Sequence, residues 1–176
     1  MPSARDLPDE AHKLADEAAE LLRRIKAKEL TLATAESCTG GLLSSLFTDI
    51  EGLSNTFDRG FVTYSEEAKS DLLGIEPIIL RRHGAVSAET ATAMVDGALA
   101  RSKADIACAV TGYAGASGDG GEAGLVHLAV RRKNGQLVHR ECHFGNRRRD
   151  EVRHLAARAA LEMLDEVLEQ PAKPAR

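Results

Sequence analysis

A nearly uninterrupted apolar run near the middle of the chain places the strongest constraint on the fold. Residues 105–111 read Asp-Ile-Ala-Cys-Ala-Val-Thr, and every central residue of this run is apolar. A strand with one face in water alternates apolar with polar residues, whereas a strand covered on both faces does not. The run therefore predicts a central strand of a sheet that carries helices on both faces.

The segments around this run alternate between helical and extended patterns. Apolar residues at helical spacing predict helices over residues 9–28 and 149–169. Short runs of strand formers occupy residues 30–35 and 60–64. Such alternation predicts a three-layer α/β/α fold with a mostly parallel central sheet.

The last two strand-like segments differ from the others because a tight turn joins them. Residues 124–130 and 136–144 flank Asn134-Gly135, a dipeptide that favours two-residue hairpin turns. We therefore expect an antiparallel hairpin at one edge of the sheet.

Composition limits the domain number and the class of partner. The 176 residues, 43% of them hydrophobic, predict one domain over residues 9–170, between a flexible leader (1–8) and a disordered tail (171–176). The net charge of −4 gives no basic surface for nucleic acid. The cysteines lack the spacing of a disulfide framework or a zinc site, which favours a reducing cytoplasm. No export signal or membrane-spanning segment is evident, so no membrane partner is expected.

The segment 34–41 reads Thr-Ala-Glu-Ser-Cys-Thr-Gly-Gly and joins a predicted strand to a predicted helix. Ligands of α/β folds bind at the carboxyl ends of strands, which is the position expected for Ser37. Backbone N–H groups of Thr39, Gly40 and Gly41 at the helix start favour an anion, and Thr39 suits the N-cap position. An ordinary helix N-cap explains the same residues, so both interpretations stay open.

A second strand-to-helix junction carries Tyr64 and Lys69. If strand ends converge, this pair and the Thr111-Gly112 segment lie in one crevice with Ser37. A lysine whose pKa is lowered by burial can activate a serine, and a tyrosine can relay a proton or orient the lysine. Backbone N–H groups of either glycine-containing turn would stabilise an oxyanion. The constellation favours acyl transfer.

Each candidate residue also has a structural interpretation. Lys69 suits a solvated helix surface, and Tyr64 suits an edge strand. Glu36 is expected to pair with Lys69, with a cationic ligand, or with neighbouring scaffold groups. His83 is a rival base in a context that resembles a helix entry. Cys38 is a rival nucleophile, although a small buried cysteine is the commoner outcome.

Two further features bear on ligands. Residues 112–124 form a glycine-rich stretch that predicts a mobile surface loop able to wrap a ligand, without the pattern of a Walker loop or a dinucleotide fingerprint. Arg147, Arg148 and Arg149 form a dense cationic cluster at the last helix start. It suits either the phosphate of a small substrate or a solvated helix terminus. No His-Glu-x-x-His or comparable metal motif occurs, so no metal site is expected.

The motifs together resemble the C-terminal domain family of the competence-damage-inducible CinA proteins over roughly residues 12–168. The matching segments are 34–41, Arg-Gly-Phe-Val-Thr-Tyr-Ser at 59–65, Ala-Lys at 68–69, His-Gly-Ala-Val-Ser at 83–87, and Thr-Gly-x-Ala-Gly at 111–115. The chain departs from the isoleucine and proline usual in the family at Tyr113 and Ala116.

This resemblance implies hydrolysis of nicotinamide mononucleotide to nicotinate mononucleotide and ammonia, without metal or cofactor, by a cytoplasmic homo-oligomer. Ser37 is then the nucleophile and Lys69 the base, with Tyr64 assisting. The substrate-binding positions so implied are Glu36, Thr39, Gly40, Gly41, Thr111, Gly112, Ala114, Gly115, and Arg147 or Arg149. The departures at Tyr113 and Ala116 keep two alternatives open: a pyridine-nucleotide-binding module without turnover, and a serine amidase acting on another small amide.

Overall fold

The computed structural model describes residues 7–115, 120–133 and 135–170. Of the leader and tail expected from the sequence, residues 1–6 and 171–176 lie outside the described residues. The first helix begins at Leu7, inside the expected leader. The turn residue Asn134 and residues 116–119 of the glycine-rich segment also lie outside the described residues.

Helices and strands alternate through most of the described chain. The strands are β1 (Leu32–Glu36), β2 (Phe57–Val62), β3 (Ile106–Gly112), β4 (Leu125–Arg132) and β5 (Leu137–His143). The helices are α1 (Leu7–Ala27), α2 (Leu42–Thr48), α3 (Glu66–Leu73), α4 (Pro77–His83), α5 (Ala88–Ala100) and α6 (Arg149–Glu169). Among the described helices, none is both long and apolar enough to cross a membrane.

The strands form one mixed sheet in the order β2-β1-β3-β4-β5. Strand β1 pairs in parallel with both β2 and β3, whereas β4 is antiparallel to β3 and to β5. The apolar run that defines β3 is therefore central, and the antiparallel hairpin forms one edge. The predicted three-layer α/β/α fold is confirmed.

The two faces of the sheet differ in side-chain size. On β3, Ile106, Cys108 and Val110 pack in the cluster that includes residues of α1, α2 and α6. The alternate residues Ala107 and Ala109 pack against α5. Because alanine methyls are small, they let the α5 backbone approach the sheet closely. The period of two along β3 thus sorts large and small residues between the two helical layers.

The end of β2 differs from the prediction, which placed this strand at 60–64. The strand ends at Val62, although Thr63 N–H still donates to Glu36 O at 2.7 Å. The carbonyl of Thr63 instead accepts a hydrogen bond from Lys69 Nζ at 2.9 Å. A tertiary contact to a side chain therefore ends the ladder earlier than residue propensity predicts.

Candidate active site

A cavity of about 240 Å³ lies where β1 and β3 end. Residues from several segments that are distant in sequence line it: Ser37, Cys38, Tyr64, Lys69, Ala85, Val86, Thr111, Gly112, Tyr113, Ala114, Gly115 and Arg149. A larger groove of about 450 Å³ between α4 and α5 contains His83 and no serine, cysteine or lysine. Of these two cavities, only the smaller one contains a serine and a lysine that could act together as nucleophile and base.

Ser37 follows directly after β1 and is held there by the ladder. Its N–H donates to Val110 O of β3 at 2.9 Å, and the residue is 7% exposed. The side-chain Oγ lies 3.1 Å from Lys69 Nζ. Because the parallel register aligns the ends of β1 and β3, Ser37 is fixed at the wall of the cavity rather than on a free loop.

Lys69 lies in α3 and is 1% exposed. Ser65 Oγ accepts a hydrogen bond from Ala68 N–H at the start of this helix, so Ser65 is its N-cap. Burial lowers the pKa of the Lys69 ammonium below its ordinary value of 10.5, while Cys38 and Glu66 act in the opposite direction. A lysine in this environment can lose its proton and then accept one from Ser37.

Glu36 is fully buried and caps α2 from the end of β1. Its carboxylate accepts hydrogen bonds from Gly41 N–H at 3.0 Å, Leu43 N–H at 3.0 Å, and Ser44 N–H at 2.7 Å and Oγ at 2.5 Å. A carboxylate is the natural partner of the unpaired N–H groups at a helix start. Of the interpretations left open by the sequence, the geometry fits scaffolding, and Glu36 does not line the cavity.

The expectation that Thr39 caps α2 is wrong. The N-cap residue is Gly41, and Thr39 Oγ1 is buried without a hydrogen-bond partner in the described part of the chain. Gly40 and Gly41 adopt φ values of 58° and 91°, which delay the helix and leave the capping role to Glu36.

Several N–H groups of this turn are bonded within the protein. Gly40 N–H donates to Ser37 O at 3.1 Å, and Leu42 N–H donates to Thr39 O at 3.2 Å. With Gly41 N–H bonded to Glu36, two of the three N–H groups expected to favour an anion, those of Gly40 and Gly41, are bonded within the protein. Thr39, Gly40 and Gly41 do not line the cavity.

Tyr64 is 67% exposed and lies at the rim of the cavity. Its hydroxyl accepts a hydrogen bond from Arg149 Nη2 at 3.4 Å. The hydrogen bonds of Lys69 Nζ go to Ser37 and Thr63, and none links it to Tyr64. This arrangement suits a residue that contacts a ligand at the entrance.

The arginine cluster separates into three environments. Arg149, the first residue of α6, lines the cavity. Arg147 lies outside it and donates from Nε to Phe144 O at 2.9 Å. Arg148 forms an exposed ion pair with Asp150. Of the two arginines left undecided by the sequence, only Arg149 faces the cavity.

The end of β3 supplies a second wall of the cavity. Thr111 Oγ1 donates to Ala85 O at 2.6 Å, which joins this wall to the segment before α5. A Cβ atom at Gly112 would lie 2.7 Å from Leu125 O, so glycine is required for the close approach of β4. Ala114 and Gly115 continue the wall.

Several residues were missed as site residues or considered only as rivals. Ala85 and Val86 line the cavity, and they belong to the His-Gly-Ala-Val-Ser segment at 83–87, of which only His83 was considered as a site residue. Cys38 lines it too, but burial raises the pKa of its thiol to about 12, which keeps it protonated at neutral pH. Arg153 lies one helical turn beyond Arg149 and donates to the carbonyl of Thr39. Apart from its place in the predicted last helix, no sequence pattern indicates this contact.

The histidines lie away from the cavity. The ring Nδ1 of His83 faces Glu89 at 3.5 Å in the groove between α4 and α5. On the edge hairpin, His127 Nδ1 lies 3.1 Å from His139 Nε2. Among the described residues, no group of three histidine, cysteine or acidic side chains could hold a metal ion.

Comparison with known proteins agrees with the fold and the motifs. The sequence profile of the CinA C-terminal domain matches residues 14–168. The chain is 43% identical over 143 residues to the nicotinamide-nucleotide amidohydrolase PncC of Escherichia coli K12, covering 80% of this chain and 86% of that protein. It is 44% identical over 140 residues to a putative competence-damage inducible protein of Caldicellulosiruptor bescii, covering 78% of this chain but 33% of that protein.

Among solved structures, the competence/damage inducible protein CihA from Agrobacterium tumefaciens superposes with a TM-score of 0.83 at 44% identity. The match covers 89% of this chain and 96% of that chain. The chain thus spans about a third of the longer competence-damage relatives and most of the shorter ones. It belongs to the CinA C-terminal domain family.

Proposed function

We propose that this protein is a nicotinamide-nucleotide amidohydrolase that converts nicotinamide mononucleotide to nicotinate mononucleotide and ammonia, with Ser37 as nucleophile and Lys69 as base. The observation that carries the proposal is the buried Lys69 amine, 3.1 Å from Ser37 Oγ in a cavity of about 240 Å³. The relative named PncC, which the chain matches over most of its length, supports the choice of substrate.

In the first step, the neutral amine of Lys69 accepts the proton of Ser37 Oγ. The oxygen forms a bond to the carboxamide carbon, and the carbonyl electron pair moves to its oxygen. The carbonyl of Thr63 accepts a hydrogen bond from Nζ and directs the nitrogen toward Ser37. Because burial lowers the pKa of Lys69, a neutral fraction is present to begin the reaction.

In the second step, the carbon–nitrogen bond breaks and the Lys69 ammonium donates its proton to the departing nitrogen, which leaves as ammonia. Water then attacks the ester on Ser37 while Lys69 takes one proton from it. The ester bond breaks, nicotinate mononucleotide leaves, and Ser37 Oγ regains its proton from Lys69. The cationic pyridinium ring withdraws electrons from the carboxamide and makes its carbon more electrophilic.

The substrate phosphate is bound by Arg149 at the cavity rim. A guanidinium can hold two phosphate oxygens at once, and Arg149 already contacts the hydroxyl of Tyr64 on the opposite side of the entrance. Arg147 is committed to Phe144 O and takes no part. This assignment orients the pyridine ring inward, with the carboxamide toward Ser37.

The test is ammonia release from nicotinamide mononucleotide without added metal. Ser37→Ala and Lys69→Ala are each expected to lower kcat by at least about 1,000-fold, because residues that act as a unit fail together. Ser45→Ala and Lys28→Ala are matched controls, since both side chains are exposed and outside the cavity. They are expected to keep wild-type rates.

Three outcomes would overturn the proposal in whole or in part. Calorimetric binding of nicotinamide mononucleotide without ammonia release would favour a binding module. Ammonia release from another small amide in a substrate panel, with none from nicotinamide mononucleotide, would favour a different serine amidase. Full activity in Ser37→Ala would overturn the assignment of the nucleophile.

A further inference from the structure

Arg153 contacts the turn that follows the nucleophile from the side of α6. Its Nε and Nη2 donate to the carbonyl oxygen of Thr39 at 3.0 Å and 2.6 Å. The planar guanidinium places both donors in a fixed geometry, which a single lysine nitrogen cannot reproduce. One carbonyl of the turn is therefore held by two charged hydrogen bonds from a separate element.

The planarity of the peptide group carries this restraint toward Ser37. The carbonyl of Thr39 and the N–H of Gly40 belong to one rigid peptide unit and point in opposite directions. That N–H donates to the carbonyl of Ser37 at 3.1 Å. The carbonyl of Ser37 in turn shares a rigid peptide unit with the N–H of Cys38. Arg153 thus fixes the direction of the N–H that directly follows the nucleophile.

The Cys38 N–H is available for a ligand. The N–H groups of Gly40 and Gly41 in the same turn are bonded within the protein. Among the described residues, Cys38 N–H donates to no backbone carbonyl, and its hydrogen bond is to the sulfur of its own side chain, a weak acceptor that a ligand oxygen can replace. Cys38 also lines the cavity. An N–H adjacent to the nucleophile is well placed to stabilise the oxyanion of an acyl-transfer reaction.

The turn depends on an external restraint. Gly40 and Gly41 both have positive φ, a conformation that glycine enters and leaves easily. Thr39 Oγ1 is buried and has no partner in the described residues, so this side chain does not fix the turn. Burial is the largest influence on the Cys38 thiol and raises its pKa, whereas the positive charge of Arg153 lowers it. The electrostatic effect of Arg153 therefore extends to this end of the cavity.

We propose that Arg153 is a positioning residue that, by holding the Thr39 carbonyl, aims the Cys38 N–H at the carboxamide oxygen as it becomes negative. This inference rests on the proposed amidohydrolase function. Arg153 acts through the peptide units of the turn and does not line the cavity.

The test compares Arg153→Met and Arg153→Lys with Arg158→Met. Arg158 lies on the same helix, faces Glu17 of α1 and does not line the cavity, so it controls for the loss of a guanidinium from α6. Arg153→Met is expected to lower kcat for nicotinamide mononucleotide about 100-fold with KM within about threefold, as for a misdirected oxyanion donor. Arg153→Lys is expected to lose about tenfold, and Arg158→Met to match the wild type.

A second readout does not depend on the substrate. An uncharged alkyl fluorophosphonate labels an activated serine: the Oγ–phosphorus bond forms, the phosphorus–fluorine bond breaks, the serine proton passes to Lys69, and fluoride leaves. The phosphoryl oxygen then needs the same N–H donor. The labelling rate of Ser37, followed by mass spectrometry with Ser37→Ala as the blank, is expected to fall in parallel with kcat in the Arg153 variants.

Unchanged kcat and labelling in folded Arg153→Met, or an equal loss in Arg158→Met, would overturn the inference. If thermal melting shows that Arg153→Met is unfolded, folded Arg153→Lys decides, and wild-type kcat and labelling in that variant would overturn it. If the wild type releases no ammonia but Ser37 is labelled, the proposed function fails while labelling still tests Arg153. Absence of both ammonia release and labelling in the wild type would overturn both, because an activated serine is their common basis.

Discussion

Lys69 Nζ lies 3.1 Å from Ser37 Oγ, although the two residues are 32 positions apart in the chain. Ser37 directly follows β1 and Lys69 projects from α3, and both residues are buried. Thr63 O is the other hydrogen-bond partner of the amine. Without a carboxylate among these contacts, burial dominates the ionisation of Lys69 and lowers its pKa.

The rate of ammonia release is expected to rise with pH through the lowered pKa of Lys69. Below that pKa the amine holds its proton and cannot act as a base, whereas above it the neutral amine accepts the proton of Ser37. The measurement is the dependence of kcat/KM on pH between roughly pH 6 and pH 10. Lys69→Arg, which stays protonated over this range, should be inactive throughout. A profile that declines across the whole range would contradict this assignment.

The stability of the protein is expected to rise with pH because of the same residue. Between the lowered pKa of Lys69 and 10.5, the unfolded chain binds a proton that the folded chain does not, so the free energy of unfolding increases with pH. Lys69→Met should remove this contribution, whereas exposed Lys28→Met should keep it. Urea denaturation at several pH values measures the free energy of unfolding of each variant. The same dependence of this free energy on pH in both variants would exclude the effect.

The thiol of Cys38 is expected to resist alkylation although it lines the cavity. Its pKa is raised to about 12 by burial, so the reactive thiolate is scarce at pH values well below that. Iodoacetamide at about pH 8 should modify Cys38 slowly in the folded protein and rapidly in urea, as followed by mass spectrometry of its peptide. Rapid modification in the folded state would reopen its interpretation as a nucleophile.

Glu36→Gln is expected to destabilise the protein by about 2–4 kcal/mol, because it removes the charge from several buried hydrogen bonds and turns an amide NH₂ toward backbone donors. Urea denaturation measures the loss. Glu51→Gln is the control, since Glu51 is exposed, and it should change stability by less than about 0.5 kcal/mol. Wild-type stability in Glu36→Gln would argue against its capping role.

Arg149→Ala is expected to raise KM for nicotinamide mononucleotide by about 10- to 100-fold, the range given by the loss of a charged hydrogen bond. Arg147→Ala should leave KM near the wild-type value because Arg147 lies outside the cavity. Nicotinamide riboside, which lacks the phosphate, separates recognition of the phosphate from general damage. An equal effect of Arg149→Ala on both substrates would show that Arg149 does not bind the phosphate.

Local sequence patterns predicted those elements whose stabilising contacts join residues that are close together in the chain. The helix α6 has the predicted bounds, Arg149–Glu169, because its apolar residues keep helical spacing over its whole length. Ser65 caps α3 through a hydrogen bond that involves only neighbouring residues. Thr39 fails as a cap because the positive φ of Gly40 and Gly41 delays the helix start, and the Glu36 carboxylate binds the free N–H groups there instead.

The sequence by itself determined the layered α/β architecture, the central position of β3 and the placement of Ser37 and Thr111 where parallel strands end. These follow from hydrophobic periodicity and from the rule that parallel strands share an orientation. Only the tertiary structure decided that Lys69 is buried beside Ser37, that Glu36 caps α2, and that Arg149 rather than Arg147 faces the cavity. Burial and hydrogen bonding between distant residues depend on how the helices pack on the sheet, and no local pattern encodes that distance.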